Sequence, residues 1–248
     1  MTNFLKHPVK TGLIKLSGEI SSYTVRRQSA SFVFTESDRT KMGVIAAAAA
    51  LAGMGGQAIA VASNSNALEE EADYVEFRLD GKLVTGWLWR SPFKNGDVVD
   101  IAVEWQEDHY EVFGMCRPKD KTIALYPHCS RARSRHIKNA IKWWLIISVT
   151  FEAAIFLSYA TDGWASFIEF WRGAFEDNII WFLVGMVVFF AIAVFSMTKQ
   201  WMPFVKLSEK VFLALDLPNA SNIDLVKSSK KQRKESDTPE FGSMYFRY

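Results

Sequence analysis

The sequence predicts an α+β membrane protein, in which a small antiparallel β-barrel of OB-like or SH3-like type sits on the cytoplasmic side of a two-helix transmembrane hairpin. Two apolar runs, Trp143 to Tyr159 with the single charge of Glu152 and Ile179 to Met197 with none, are the first observation. Each is near the roughly 20 residues that a helix needs to cross a ~30 Å hydrocarbon layer. The second observation is a series of short alternating segments separated by tight-turn residues between Tyr74 and Tyr126. A third is the distribution of basic residues, which cluster beyond the outer ends of the two runs and avoid the segment between them.

Length and charge bound the remainder. With 248 residues, the chain has room for the hairpin and one domain of about a hundred residues. Its 29 Lys and Arg nearly balance 27 Asp and Glu, so the overall charge makes no case for nucleic-acid binding. The opening residues MTNFLKHPVKTG lack the apolar centre of a secretory signal, so insertion is expected to depend on the first hydrophobic helix. Cys116 and Cys129 fall on the expected cytoplasmic side, where thiols stay reduced and a structural disulfide is not expected.

In chain order, residues 1–128 are expected to form the cytoplasmic barrel, with a helical Ala/Gly-rich insertion at 36–72. Leu13 to Thr35 read as strands, with Phe32 and Phe34 alternating across Val33. Ser37, Asp38 and Thr40 offer helix-start chemistry to the segment behind them. Met42 to Ser63 is uncharged and rich in alanine and glycine. It is read as a helix or loop excursion, because a crossing there would put strands of one domain on opposite sides of a membrane. Insertion or self-association through its small residues is the competing reading. The acidic stretch that follows, NSNALEEEAD, is expected to be a solvated face.

YVEFRL, KLVTGWLW, DVVDIAVEW, YEVFGM and TIALY then supply five strands. Asp80-Gly81, Asn95-Gly96, Glu107-Asp108 and Pro118 to Lys121 turn the chain between them. Gly86 and Gly114 are expected to mark bends or bulges at barrel corners.

Residues 129–201 hold the basic flank and the hairpin, with spans at 143–160 and 179–197. Arg131, Arg133, Arg135, Lys138 and Lys142 precede the first span with no acid among them. Lys199, Lys206 and Lys210 follow the second, while the connection carries Arg172 against Asp162, Glu169, Glu176 and Asp177. Lys and Arg are retained on the cytoplasmic side, so both termini are expected inside and the connection outside. The same five upstream residues could also contact anionic lipid, although their topological role suffices to account for them. Trp143, Trp144, Trp181 and Trp201 are read as interface anchors at headgroup level.

Residues 202–248 comprise an amphipathic helix and a basic cytoplasmic tail. Phe204, Val205, Phe212 and Leu215 share a face that lies on the inner membrane surface or packs on the barrel. The tail from Lys227, including Lys230, Lys231, Arg233 and Lys234, is read as solvated, with the final MYFRY docking back on the protein.

The chain carries no P-loop, Rossmann glycine pattern, HExxH or GxSxG, so no catalytic residue is assigned and a non-enzymatic protein without cofactors is expected. The best metal-ligand set, Cys116, His128, Cys129 and His136, has the spacing of no zinc site and is read as ordinary structural residues. Glu152 is the sharper observation, because a carboxylate in the middle of an apolar span is costly. It is either a pore-lining, proton-linked or oligomer-contact group, or a protonated acid hydrogen-bonded to a neighbour. The second reading is favoured, with Ser148, Thr150 and Ser158 as polar neighbours on the same helix.

TESDRTKM, GWLWRSPFKNGDVVDIAVEWQ, ALYPHCSRARSRHIKNAIKWWL, KQWMPFVKLSEKVF and the ending SKKQRK…MYFRY resemble a family of enterobacterial membrane proteins labelled as candidate type VI secretion system effectors. The resemblance covers nearly the full length and brings no catalytic residues. It implies an inner-membrane protein of interbacterial competition, either a membrane-acting effector or its cognate immunity protein. The partners it implies are the bilayer and a secretion-system component, cognate toxin or immunity protein, with homo-oligomerisation left open. The alternative is a membrane-tethered barrel that serves as a scaffold or regulator.

Overall fold

The computed structural model describes residues 12–32, 69–161, 163–176 and 179–248. The Ala/Gly-rich segment 42–63, and the insertion as far as residue 68, lie outside the described residues. The chain divides into two compact units, one built from the residues up to Arg133 together with Met202–Tyr248, the other from Ser134–Trp201.

In the first unit, β1 (Ile14–Ser31) is one long strand rather than the expected pair. Ser22 has a positive φ of 52°, and the register shifts between Ser21 and Thr24. The resulting bulge re-aims the strand, so its first half pairs with one neighbour and its second half with another. β2 (Glu69–Leu79), β3 (Lys82–Leu88), β4 (Val98–Trp105), β5 (Tyr110–Arg117) and β6 (Thr122–Leu125) supply the five strands expected between Tyr74 and Tyr126. Asp80 and Gly81, with φ of 47° and 82°, form the turn that the Asp-Gly pair predicts. Glu69 to Asp73 begin β2, paired from Asp73↔Arg27 through Glu69↔Ser31; Glu71 is exposed, as expected of a solvated acidic face, while Asp73 is buried. Cross-strand partners including Arg27 accommodate those acids in the ladder.

β1 pairs with β2 and β4, β2 with β3, β4 with β5, and a parallel pairing of β3 with β5 completes the ring. The result is a closed five-stranded barrel whose order, β1-β2-β3-β5-β4, is compatible with the OB-like alternative. Closure happens at Gly86. A Cβ there would lie 2.6 Å from the Val112 carbonyl oxygen, so only glycine lets the two backbones meet. Gly114 sits beside a bulge, since Ala102 opposes Gly114 while Val103 opposes Val112, leaving Phe113 as the extra residue.

Alternation along the strands feeds two cores. Phe77, Val84, Ile101, Val112 and Met115 cluster on one side. Phe113, Cys116, Ile123 and Leu125 face the other way, into a second cluster completed by C-terminal residues. Those come from α4 (Met202–Ala214), α5 (Leu225–Gln232) and β7 (Tyr245–Arg247), numbered after the three helices of the other unit. Phe204, Leu207, Val211 and Phe212 are buried on α4, so its apolar face packs on the barrel. Gly114 permits this, because a Cβ would meet Val211 Cγ1 at 2.5 Å. The segment read as a solvated tail is folded. All four residues of β6 are buried, and β7 covers that edge through Thr122↔Arg247 and Ile123↔Phe246. Arg247 anchors the strand through Asp237 at 3.0 Å and lies 4.6 Å from the Phe241 ring centroid.

The second unit contains nearly all of α1 (Arg133–Thr161), then α2 (Trp164–Glu176) and α3 (Ile179–Gln200). α2 was not expected; the connection read as polar and aromatic is helical. α1 and α3 are long and apolar enough to cross a membrane, with mean hydropathies of 1.7 and 2.7 over their candidate windows. No residue of α3 is buried, unlike a core helix of a soluble domain. The two run antiparallel, with His136 Nε2 3.3 Å from the Thr198 carbonyl and Trp144 Nε1 donating to the Val187 carbonyl at 3.2 Å.

Candidate functional site

The helical unit builds an open-sided cavity of about 320 Å³ around Glu152, with Val149, Phe156 and Trp171 of its walls partly exposed. α1 contributes Glu152 with Val149, Ala153 and Ile155, and α3 contributes Leu183. The third side is α2, whose apolar positions recur at helical spacing. Its Phe170 and Ala174, one turn apart, are 7% and 1% exposed. Phe156 of α1 meets Phe167 and Trp171 edge-on, with ring centroids 4.8 and 6.0 Å apart. Phe156, Phe170 and Trp171 thus place three aromatic rings around the same cavity.

Glu152 is half-buried there. No hydrogen bond or ion pair reaches its carboxylate among the described residues. Ser148, one turn earlier, is 5% exposed and its Oγ also lacks a hydrogen-bond partner among them. Ser158, by contrast, donates to the Ile155 carbonyl at 2.6 Å. An acid hydrogen-bonded to a neighbouring helix, the favoured expectation for Glu152, has no counterpart among these contacts.

The basic flank is divided between the units. Arg131 pairs with Asp224 at 3.4 Å, and Arg133 opens α1. Lys206 and Lys210 stand one turn apart on α4. Burial pushes the Lys206 pKa down, and the like charges of Arg133 and Lys210 add to that. Arg135 is partly buried, while Lys138 and Lys142 are exposed on α1. Trp143, Trp181 and Trp201 are 53%, 69% and 42% exposed, as rings that meet solvent or lipid would be. Trp144 differs, since its indole N–H is spent on α3.

The residues weighed as metal ligands serve other ends. Cys116 is buried on β5, where burial, helped by Asp100, pushes its thiol up to about 11. Cys129 is buried against α4, with Sγ 3.5 Å from the Phe204 carbonyl and its pKa pushed up to about 12 by burial. His128 lies between the Trp89 and Phe204 rings and 3.0 Å from Glu70. Burial lowers its pKa against the pull of that carboxylate. His136 belongs to the helical unit. Among the described residues no three His, Cys, Asp or Glu side chains come together as a metal site.

One polar cluster has no local signature in the sequence. Asp73, only 3% exposed, accepts from Arg27 Nη1 at 2.9 Å and from the Ser91 amide at 2.8 Å, with Arg90 at 3.6 Å. An acid inside an acidic run gives no hint in the sequence that it is the buried one.

Fold and site together define a closed five-stranded barrel whose chain is interrupted by an apolar helical hairpin with an acidic cavity. Comparison with known proteins returns no matching family model, no matching curated protein and no matching solved structure.

Proposed function

We propose that this chain is a non-enzymatic, two-pass protein of the bacterial inner membrane, belonging to type VI secretion loci, and that it acts there as the resident immunity partner of a membrane-acting effector. Co-folding of the residues on either side of the hairpin carries the argument. Ile123 pairs with Phe246, and Phe113 shares a core with Phe212, so the chain leaves one folded unit at Arg133 and rejoins it at Met202. A chain that leaves and rejoins one unit crosses a bilayer an even number of times, and α1 with α3 supplies two crossings. The basic residues next to both departures favour the cytoplasm for that unit. A toxin arriving from outside would carry the barrel and those charges on the opposite face. The competition role rests on the sequence resemblance.

A second reading, a membrane-tethered OB-like scaffold, draws on one observation. At the β4–β5 turn Trp105 is 49% exposed and packs edge-on against Tyr110, with centroids 4.8 Å apart, as an aromatic anchor for a protein partner would. Expression in bacteria discriminates these readings. An immunity protein is harmless alone and rescues cells from the toxin of its own locus, and a scaffold is harmless without rescue. Depolarisation on expression alone would return the effector reading. Phosphatase fusions after Thr161 should be active and fusions after Tyr248 inactive. The reverse pattern would overturn the sidedness.

A further inference from the structure

We propose that the cavity around Glu152 binds a lipophilic organic cation, an ammonium centre carried on apolar groups. The cavity, about 320 Å³, falls at the lower end of the range typical of small-molecule sites. Its walls are aliphatic and aromatic apart from one carboxylate that has no partner among the described residues. A carboxylate among apolar walls is costly until it is protonated or paired.

Other ligand classes fit less well. An anion would be repelled by Glu152. A hard metal ion needs about six oxygen ligands, and the lining offers one carboxylate. A neutral hydrocarbon would satisfy the walls and leave the Glu152 carboxyl group without a partner. An alkylated ammonium satisfies both, because its alkyl periphery suits Val149 and Leu183 while Phe156, Phe170 and Trp171 can present aromatic faces to positive charge.

The same ammonium chemistry occurs in phospholipid headgroups. Glu152 lies nine residues along α1 from Trp143, about 14 Å at 1.5 Å per residue, too deep for a headgroup. That depth argument rests on the membrane reading above, whereas the pairing argument does not.

The test is calorimetric titration of the purified full chain with benzyltrimethylammonium and with neopentylbenzene, its uncharged carbon isostere. It is run in detergent and again in nanodiscs of phosphatidylglycerol, which lacks ammonium, and of phosphatidylcholine. The wild type is expected to favour the cation by about tenfold or more. Glu152→Gln should lose that preference while still binding the isostere, and Ala153→Phe should weaken both by filling the cavity. Unchanged helicity and thermal melting of the whole chain, followed by circular dichroism, would establish that the helical unit is intact in each variant. Equal cation affinity in wild type and E152Q, preference for the isostere, or no saturable binding would each overturn the proposal. Competition by phosphatidylcholine but not phosphatidylglycerol would reassign the site to a headgroup and overturn the free-cation proposal. Alkaline carbonate extraction of cell membranes is run alongside: release of the chain would sink the membrane reading, while the detergent titration still decides the cavity.

Discussion

Truncating Phe246 to alanine tests whether the C-terminal strand belongs to the barrel's energetics. Phe246 is 1% exposed, pairs with Ile123 and closes the cluster between strands and helices. A buried Phe removes about 150–200 Å² from water, worth about 4–5 kcal/mol at 25 cal/mol per Å². Phe→Ala substitutions in cores cost about 3–5 kcal/mol. β7 has only three residues and pairs with β6 alone, so it can fray instead of preserving a sealed cavity. The lower part of that range applies, about 3 kcal/mol. At about 2–4 °C per kcal/mol for a unit of this size, the midpoint should fall by roughly 6–12 °C. Thermal unfolding followed by tryptophan fluorescence in detergent reads this, and amide exchange should rise along β6. Phe246→Leu, which keeps most of the volume, should cost about 1 kcal/mol. A midpoint for F246A within about 2 °C of wild type, with β6 amides still protected, would refute the reasoning.

Gly86→Ala should destabilise the barrel by about 2–4 kcal/mol in denaturant titration, because its Cβ meets the Val112 carbonyl where β3 and β5 close the ring. Asp73→Ala takes the acceptor from the buried Ser91 amide and one of the two from Arg27 Nη1, which keeps the Trp89 carbonyl at 3.1 Å, and should cost about 1–3 kcal/mol, whereas a loss under 1 kcal/mol would mean that water replaces the carboxylate. The two thiols make the barrel sensitive to alkali. Ordinarily near 9, they are held up to about 11 at Cys116 and about 12 at Cys129, so the unfolded chain releases these protons first. Their contribution is complete below pH 9 and is lost as pH rises through 11 to 12; a midpoint flat from pH 9 to 11 in wild type would contradict this. Maleimide labelling of both at pH 8 should be about tenfold or more slower in the folded protein than in denaturant.

The elements legible in the sequence are those whose signal is local. Apolar length marked α1 and α3, the alternation from Tyr74 to Tyr126 marked β2 to β6, and Asp80-Gly81 marked its hairpin turn. Glu152 could be picked out because charge in an apolar run is rare. Long-range pairing decided the rest. Whether Ser21 and Ser22 end a strand or bulge within one depends on having two partners for β1. Whether Asp73 is solvated depends on Arg27, 46 residues away. The aromatic ending MYFRY is legible as a docking segment, but its partner is not: the fully buried edge of β6 must be paired, and no window of the tail contains that demand. Likewise, the carboxylate is legible in the sequence, but its cavity exists only because α2 folds back to bring Phe170 and Trp171 to it. The sequence by itself determined which segments are apolar and which alternate. Tertiary structure alone decided which of them meet, since burial and pairing are properties of two segments at once.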